Sequence, residues 1–350
     1  MASTTRIHQC GLTLVELMVS IAIGLLVITA MSALYANVSN GRAEIERVSR
    51  RMENGRYGLS VLADDIQNAG YFAEFDPRNI ALPSAKPDPC LTSATDLALA
   101  LRVAVQGYDN AASNALSCLS DVKAGSDILV IRRLNGCANG SSGCTALASG
   151  EVGFQASSCN NASELGSGNV ANFYKLSASS SAFTLHLRNC TTVAETRKML
   201  VRIYYVANND KSGDGIPTLK RAELSGSGFV VSAVAQGVDT LQIEYGLDTA
   251  GTGVPAVYTP NPDTYLSCDT TTTPTCVGQW ASVVTAKIYL LARSAEASPG
   301  FSDSKTYTLG HATDGSDVTV GPFSDAFKRT VFQSVVLFQN PAMRSLSSTP

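Results

Sequence analysis

The stretch Cys10–Met18, CGLTLVELM, opens a long apolar run and places a carboxylate inside it. From Leu12 to Ala36 the only charged side chain is Glu16, set among residues such as Leu14, Val15, Leu17, Ile21, Leu25 and Ile28. A charge at the centre of a membrane helix costs roughly 2.5–3.5 kcal/mol on insertion scales. Its retention at the fifth position of this run therefore needs a physical reason.

Residues 12–36 form a helix of about 37 Å at 1.5 Å per residue, enough to span a bilayer with some tilt. A secretory signal peptide would carry a shorter apolar core and a small-residue cleavage site. Here the run is too long, and the small residues near Ala33–Ala36 continue into a helical pattern. Ile45, Met52, Leu59 and Ile66 recur every seven residues, with Val48 and Leu62 between them and Gly55 as the gap. That is one narrow apolar stripe. With no proline before Pro77, the pattern predicts one helix from about Leu14 to Asn68, packed by its second half on the chain's own sheet.

The totals exclude some functions. The chain has 350 residues with a net charge of −3 and a pI near 5.7, so it holds no general attraction for nucleic acid. The cluster Arg42, Arg47, Arg50, Arg51 and Arg56 reads as a solvated or packed helix face. GxSxG, HExxH and P-loop motifs are absent, and His186 and His311 have no nearby nucleophile or metal-ligand pattern. The chain is not expected to be an enzyme.

Removal of Cys10 with a leader leaves eight cysteines, an even number that suits a disulfide framework in an oxidising compartment. Eight cysteines admit 105 pairings. Sequential pairing is expected: Cys90–Cys118, Cys137–Cys144, Cys159–Cys190 and Cys268–Cys276. Downstream, Leu241, Ile243 and Tyr245 alternate with polar neighbours. So do Val201, Ile203 and Tyr205, while Val331, Val335 and Leu337 lie in an apolar run and Asp127–Arg133 adds a further segment. These patterns predict half-buried strands of an antiparallel sheet, one face on the helix and the other free. The turn at 209–215 carries Asp210, Ser212 and Asp214 at calcium-loop spacing, with Gly215 at the turn position. Arg221 stands where the bidentate glutamate would be. The turn reads as an Asp/Gly hairpin turn, or as a weak calcium site completed by other loops.

A polar leader ending in Gly11, followed by Leu12, Thr13, Leu14, Val15, Glu16 and a long apolar helix, resembles the class III signal of type IV pilins and pseudopilins. The stretches NGRYGLSVLADDIQNAGYF (54–72), VRIYYVANNDKSGDGIPTLKRAEL (201–224), GVDTLQIEYGLD (237–248), VTAKIYLLARS (284–294) and FKRTVFQSVVLFQN (327–340) resemble the PilW group of minor pilins, related to the J-type minor pseudopilins of type II secretion. The resemblance implies an α+β pilin-like fold, a long amino-terminal helix on an antiparallel sheet. It implies that a prepilin peptidase cuts between Gly11 and Leu12 and methylates the Leu12 amine, with Leu12 standing where phenylalanine is usual. Glu16 would then pair with that amine on an adjacent subunit, since a well-matched ion pair offsets much of the cost of burying either charge.

The implied organisation is a leader over 1–11, a membrane and filament-core helix over 12–36, its amphipathic continuation over 37–69, and a β-rich disulfide-bonded domain over 70–350. Within that domain, 86–190 reads as a family-variable insertion. The implied function is a minor pilin that takes part in starting pilus assembly and joins the filament at or near its tip. Its partners would be the peptidase, other minor pilins, the major pilin and a large tip adhesin. Before assembly it would sit in the inner membrane, amino terminus cytoplasmic and carboxyl-terminal domain periplasmic; afterwards it would lie on the pilus at the cell surface. The alternatives are a J-like pseudopilin of a type II secretion system and a membrane-anchored adhesin or ligand-binding protein.

Overall fold

The computed structural model describes residues 13–265 and 275–346. The chain divides into two units, with the division between Ser49 and Arg50. One continuous helix, α1 (Leu14–Asn68), begins in the first unit and ends in the second. Its end has a local cause. Gly70 takes a φ of +70°, a conformation that costs glycine little, and its N–H donates to Arg132 O at 2.9 Å instead of continuing the helix.

In the first unit the apolar side chains are exposed on every side of the helix, with Leu14 at 74 % and Leu26 at 69 %. The helix is long and apolar enough there to cross a membrane, by length and composition.

In the second unit α1 turns one face inward, burying Gly55, Gly58, Leu62, Asp65 and Ile66. This corrects the stripe in one respect. Gly55 is not a gap but a contact, because the ring of Phe332 fills the space that a side chain would take. A Cβ added at Gly55 would lie 2.2 Å from Phe332 Cε2. At Gly58 an added Cβ would meet Ala235, Leu219 and Leu290 at 3.2–3.6 Å. The missing side chains let the sheets approach the helix backbone, an advantage that opposes the poor helix propensity of glycine, about 1 kcal/mol relative to alanine.

The strands form two main sheets, all pairs antiparallel. The larger contains β1 (Val105–Ala111), β2 (Ser126–Ala138), β3 (Gly153–Ala156), β4 (Tyr174–Ser177), β5 (Thr196–Ala207), β6 (Thr218–Ser225) and β7 (Gly228–Gln236). Its path is β1-β2-β5-β3-β4, with β6 on β5 and β7 on β6. β5 is long enough to pair with β3 through Thr196–Lys198 and with β6 through Arg202–Ala207. The second sheet, ordered β13-β10-β8-β9, uses β8 (Val238–Leu247), β9 (Val257–Thr259), β10 (Val283–Arg293) and β13 (Arg329–Leu337). A hairpin of β11 (Tyr307–His311) and β12 (Asp317–Val320) stands apart in pairing. Short helices α2 (Ala94–Ala100), α3 (Thr275–Ala281) and α4 (Gln339–Leu346) complete the unit.

The two central strands of the larger sheet are buried on both faces, which the alternation of apolar and polar residues does not announce. Leu129, Ile131, Tyr204 and Val206 join Leu62, Ile66, Ile243, Leu290 and Phe338 in the core beneath α1. Their neighbours Ile128, Val130, Ile203 and Tyr205 point the other way, as period-two geometry requires. These build a second core with Phe72, Phe75, Leu97, Leu101 and Phe154. The expectation of a free opposite face is therefore corrected: residues following α1, with α2, cover it. Tyr204, read as the polar partner in the alternation, is fully buried.

Substituting Gly55→Ala should destabilise the folded protein by about 1–3 kcal/mol, the usual cost of overpacking. In denaturant titrations, Phe332→Ala should couple to it, the double variant losing less than the sum of the two single losses. A Gly55→Ala midpoint equal to wild type would contradict the packing described.

Candidate functional site

Glu16 lies in the first turn of α1 and is held by the residue that starts the helix. Thr13 N donates to Glu16 Oε2 at 2.9 Å and Thr13 Oγ1 donates to the same oxygen at 2.9 Å. In return Glu16 N donates to Thr13 Oγ1 at 3.3 Å. This is a capping box, T-x-x-E, in which residue and cap satisfy each other's otherwise orphaned amides. The sequence carries the pattern as Thr13-Leu14-Val15-Glu16, at the very start of the apolar run. The carboxylate also sits at the positive end of the helix dipole, a favourable place for a negative charge. Further along, Ser20 Oγ and Thr29 Oγ1 donate to the carbonyls of Glu16 and Leu25, at 2.6 and 3.0 Å. These polar side chains are satisfied within the helix, as an apolar environment demands. Cys10, Gly11 and Leu12 lie outside the described residues.

Among the described residues three disulfides are complete, Cys90–Cys118, Cys137–Cys144 and Cys159–Cys190. Cys276 is buried and disulfide-bonded, and its expected partner, Cys268, lies outside the described residues. Beside Cys159, Glu164 organises its loop. It accepts from Ser157 Oγ at 2.5 Å, from His186 N at 3.0 Å and from Asn161 Nδ2 at 3.2 Å, with His186 Nδ1 at 2.8 Å. Burial works to raise its pKa, but these bonds outweigh it and pull the carboxyl down to about 2.

The turn at 209–215 is organised by its own amides. Asp214 accepts from the backbone N–H groups of Asp210, Lys211 and Ile216 at 2.8–3.1 Å, and Asp210 Oδ2 accepts from Gln236 Nε2 at 2.8 Å. Among the described residues no group of three or more His, Cys, Asp or Glu side chains is gathered to hold a metal ion.

Two family models match the chain. One, described as Type IV Pilus-assembly protein W, covers residues 203–340, from β5 to the start of α4. The other, the Prokaryotic N-terminal methylation motif, covers residues 6–32 and so contains Gly11, Leu12 and Glu16. Together they support a minor pilin of the PilW group. No curated protein and no solved structure matches the chain. The two matches indicate a structural pilin rather than an enzyme.

The stretch 54–72 meets the stretch 201–224 through one carboxylate. Asp65, buried on α1, accepts from Arg202 at 2.6 Å, from Arg133 Nη2 at 2.8 Å and from the Tyr204 hydroxyl. Arg202 is held in turn by Glu223 of β6 at 2.7 Å. Burial alone would raise the Asp65 pKa, but the two guanidinium groups and the hydroxyl more than compensate and leave it below its ordinary value. A second knot surrounds Arg329 of β13, which binds Asp239 at 2.8 Å, Asp303 at 3.0 Å and Asp325 at 2.7 Å. Tyr307 donates to Asp303 at 3.0 Å, and Lys123 pairs with Asp239. Neither knot was legible from local sequence, since its partners come from separate elements.

A carboxyl with a depressed folded pKa stabilises fully above its unfolded value, here 3.8 for Asp65, and loses that contribution as the pH falls through the folded value. Unfolding free energy should therefore drop steeply below about pH 4. Asp65→Asn should reduce stability at neutral pH by about 1–3 kcal/mol, because the half-buried Arg133 and Arg202 lose the carboxylate they share while Glu223 still pairs with Arg202. It should also flatten the acid slope. Chemical denaturation at pH 7 and pH 3.5 reads both effects, and an unchanged slope would remove Asp65 from the helix-to-sheet tie.

Proposed function

We propose that this protein takes part in starting type IV pilus assembly and enters the filament at or near its tip, with Glu16 as the residue that registers it against its neighbour. The observation that carries the reading is a carboxylate retained in the first turn of a fully exposed apolar helix, inside a match to the methylation motif. Before assembly the helix would rest in the inner membrane, amino terminus cytoplasmic. A prepilin peptidase would remove the leader after Gly11, and Leu12 would carry the new, methylated amine. Other minor pilins and the major pilin would be its partners, with a large tip adhesin above. The match over 203–340 favours the pilus over a type II secretion system.

The chemistry divides between two tasks for one side chain. Within a subunit, Glu16 Oε2 closes the capping box. Between subunits, the negative charge would attract the Leu12 amine of the next helix, and burying either charge alone in an apolar filament core would cost several kcal/mol. A subunit out of register would bear that cost.

Processing is read directly from intact mass. Protein from a peptidase-positive strain should begin at Leu12 with one added methyl group, and a chain that begins at Met1 would refute the cleavage assignment.

Cap and charge can be separated because glutamine also serves in a capping box. Glu16→Gln should leave the helix start intact and membrane levels unchanged, yet lower recovery of this protein in sheared pili as far as Glu16→Ala does. Thr13→Val removes the cap, worth about 0.5–2 kcal/mol, and keeps the charge; it should be recovered far better than either Glu16 variant. The opposite ranking would make Glu16 a cap only.

A further inference from the structure

Residues 185–194 form a small hairpin that its own hydrogen bonds close. Ala194 N donates to Leu185 O and Leu187 N donates to Thr192 O, both at 2.8 Å. One buried side chain of β3 clamps the base. Gln155 Oε1 accepts from Leu185 N at 2.9 Å, and Gln155 Nε2 donates to Ala194 O at 2.8 Å. Glu164 accepts from His186 N at 3.0 Å, and His186 O accepts from Ser158 N at 3.0 Å, next to Cys159. At the tip Asn189 Oδ1 accepts from Thr191 N and Thr192 N at 3.1 and 3.0 Å. The hairpin's main-chain groups thus find partners from base to tip without a covalent bond.

The tip nevertheless carries a disulfide cysteine. Cys190 is exposed, and its φ of +57° lies in the left-handed region that disfavours residues with a side chain. Its partner Cys159 is fully buried. Cys90, Cys118, Cys137 and Cys144 are half-buried, so among the described residues Cys190 is the one exposed disulfide cysteine. Thiol–disulfide exchange depends on which sulfur an attacking thiolate can reach, and exposed or strained bridges are the labile ones.

We propose that Cys159–Cys190 is a redox-responsive bridge, opened at Cys190 by an external dithiol while the hairpin around it stays formed. The dithiol's first thiolate attacks Cys190 Sγ. The S–S bond breaks, and its electron pair goes to Cys159 Sγ, which takes up the proton that the attacking thiol gave up. A mixed disulfide on Cys190 and a buried thiol at Cys159 result. The dithiol's second thiolate then displaces Cys190, leaving two protein thiols and one oxidised reductant. Closure runs back through the same mixed disulfide, with Cys159 as the attacking thiol. The Gln155 clamp and the Ser158–His186 bond hold the two cysteines' segments together in the meantime.

The test uses the purified full-length protein, folded in detergent, with reduced glutathione as a monothiol probe that stops at the mixed disulfide. After an acid quench and alkylation, peptide mass spectrometry should place the adduct on Cys190, with at least about tenfold less on Cys159, Cys90, Cys118, Cys137 or Cys144. Overall stability should fall, since losing a cross-link also frees the unfolded chain, so the local amides carry the second reading. Hydrogen exchange should find Leu187 and Ala194 N–H still protected in the opened protein, to within about tenfold of the oxidised form. The double variant Cys159→Ser, Cys190→Ser, which lacks the bridge, should keep the same two amides protected. The proposal is overturned by equal or greater adduct at any other of these cysteines, by the absence of adduct while the protein stays folded, or by loss of protection at Leu187 and Ala194 once the bridge is open.

Discussion

A single buried carboxylate ties the long helix to the sheet. Asp65 sits on the inward face of α1, and Arg133 of β2, Arg202 of β5 and the hydroxyl of Tyr204 converge on it. Two half-buried arginines on one sheet face favour a counter-charge there, and a helix carrying that charge docks best at one height. The apolar contacts around it tolerate small sliding; the ion cluster does not. It therefore sets the register in which Gly55 meets Phe332 and Gly58 meets Ala235 and Leu290. The same cluster joins two of the sequence stretches that resemble PilW-group pilins, 54–72 and 201–224.

Electrostatics and packing divide the work along the chain. Among the described residues of the first unit the one element is α1, and Thr13, Glu16, Ser20 and Thr29 bond within it. In the second, β2 and β5 contribute alternate residues to two cores, so each strand supports α1 on one side and a second layer on the other. The region 86–190 supplies α2 and strands β1 to β4, so it builds part of the larger sheet as well as much of the second layer.

The bounds of α1 were legible because a period of 3.6, an uninterrupted apolar run and the absence of proline all agreed. Alternation likewise marked β5 and β8; the apolar run at the end of the chain marked β13 but not its inward face, since Val335 and Leu337 are exposed and Val336 and Phe338 are buried. Three features escaped, each for a physical reason. Phe332 fills the apparent gap at Gly55 from the far end of the sequence, and no local pattern reports a contact of that separation. Tyr204 counts as polar in an alternation but buries its ring and gives its hydroxyl to Asp65, so a strand covered on both faces looked half-covered. The Thr13–Glu16 box was local and readable, yet a charge within an apolar run draws attention to solvation cost before helix termination.

The three described disulfides all lie between Cys90 and Cys190, in or beside the second layer, and none crosses to α1. The core beneath α1 has one disulfide-bonded cysteine on its border, Cys276 of α3 beside Val277 and Trp280. Over the opposite face, loops with little regular structure depend on covalent cross-links to hold their shape over Ile128, Val130 and Ile203. A reducing medium would therefore bear hardest on that face, since the loops over it would keep few links of their own and its apolar side chains would be the first opened to other chains.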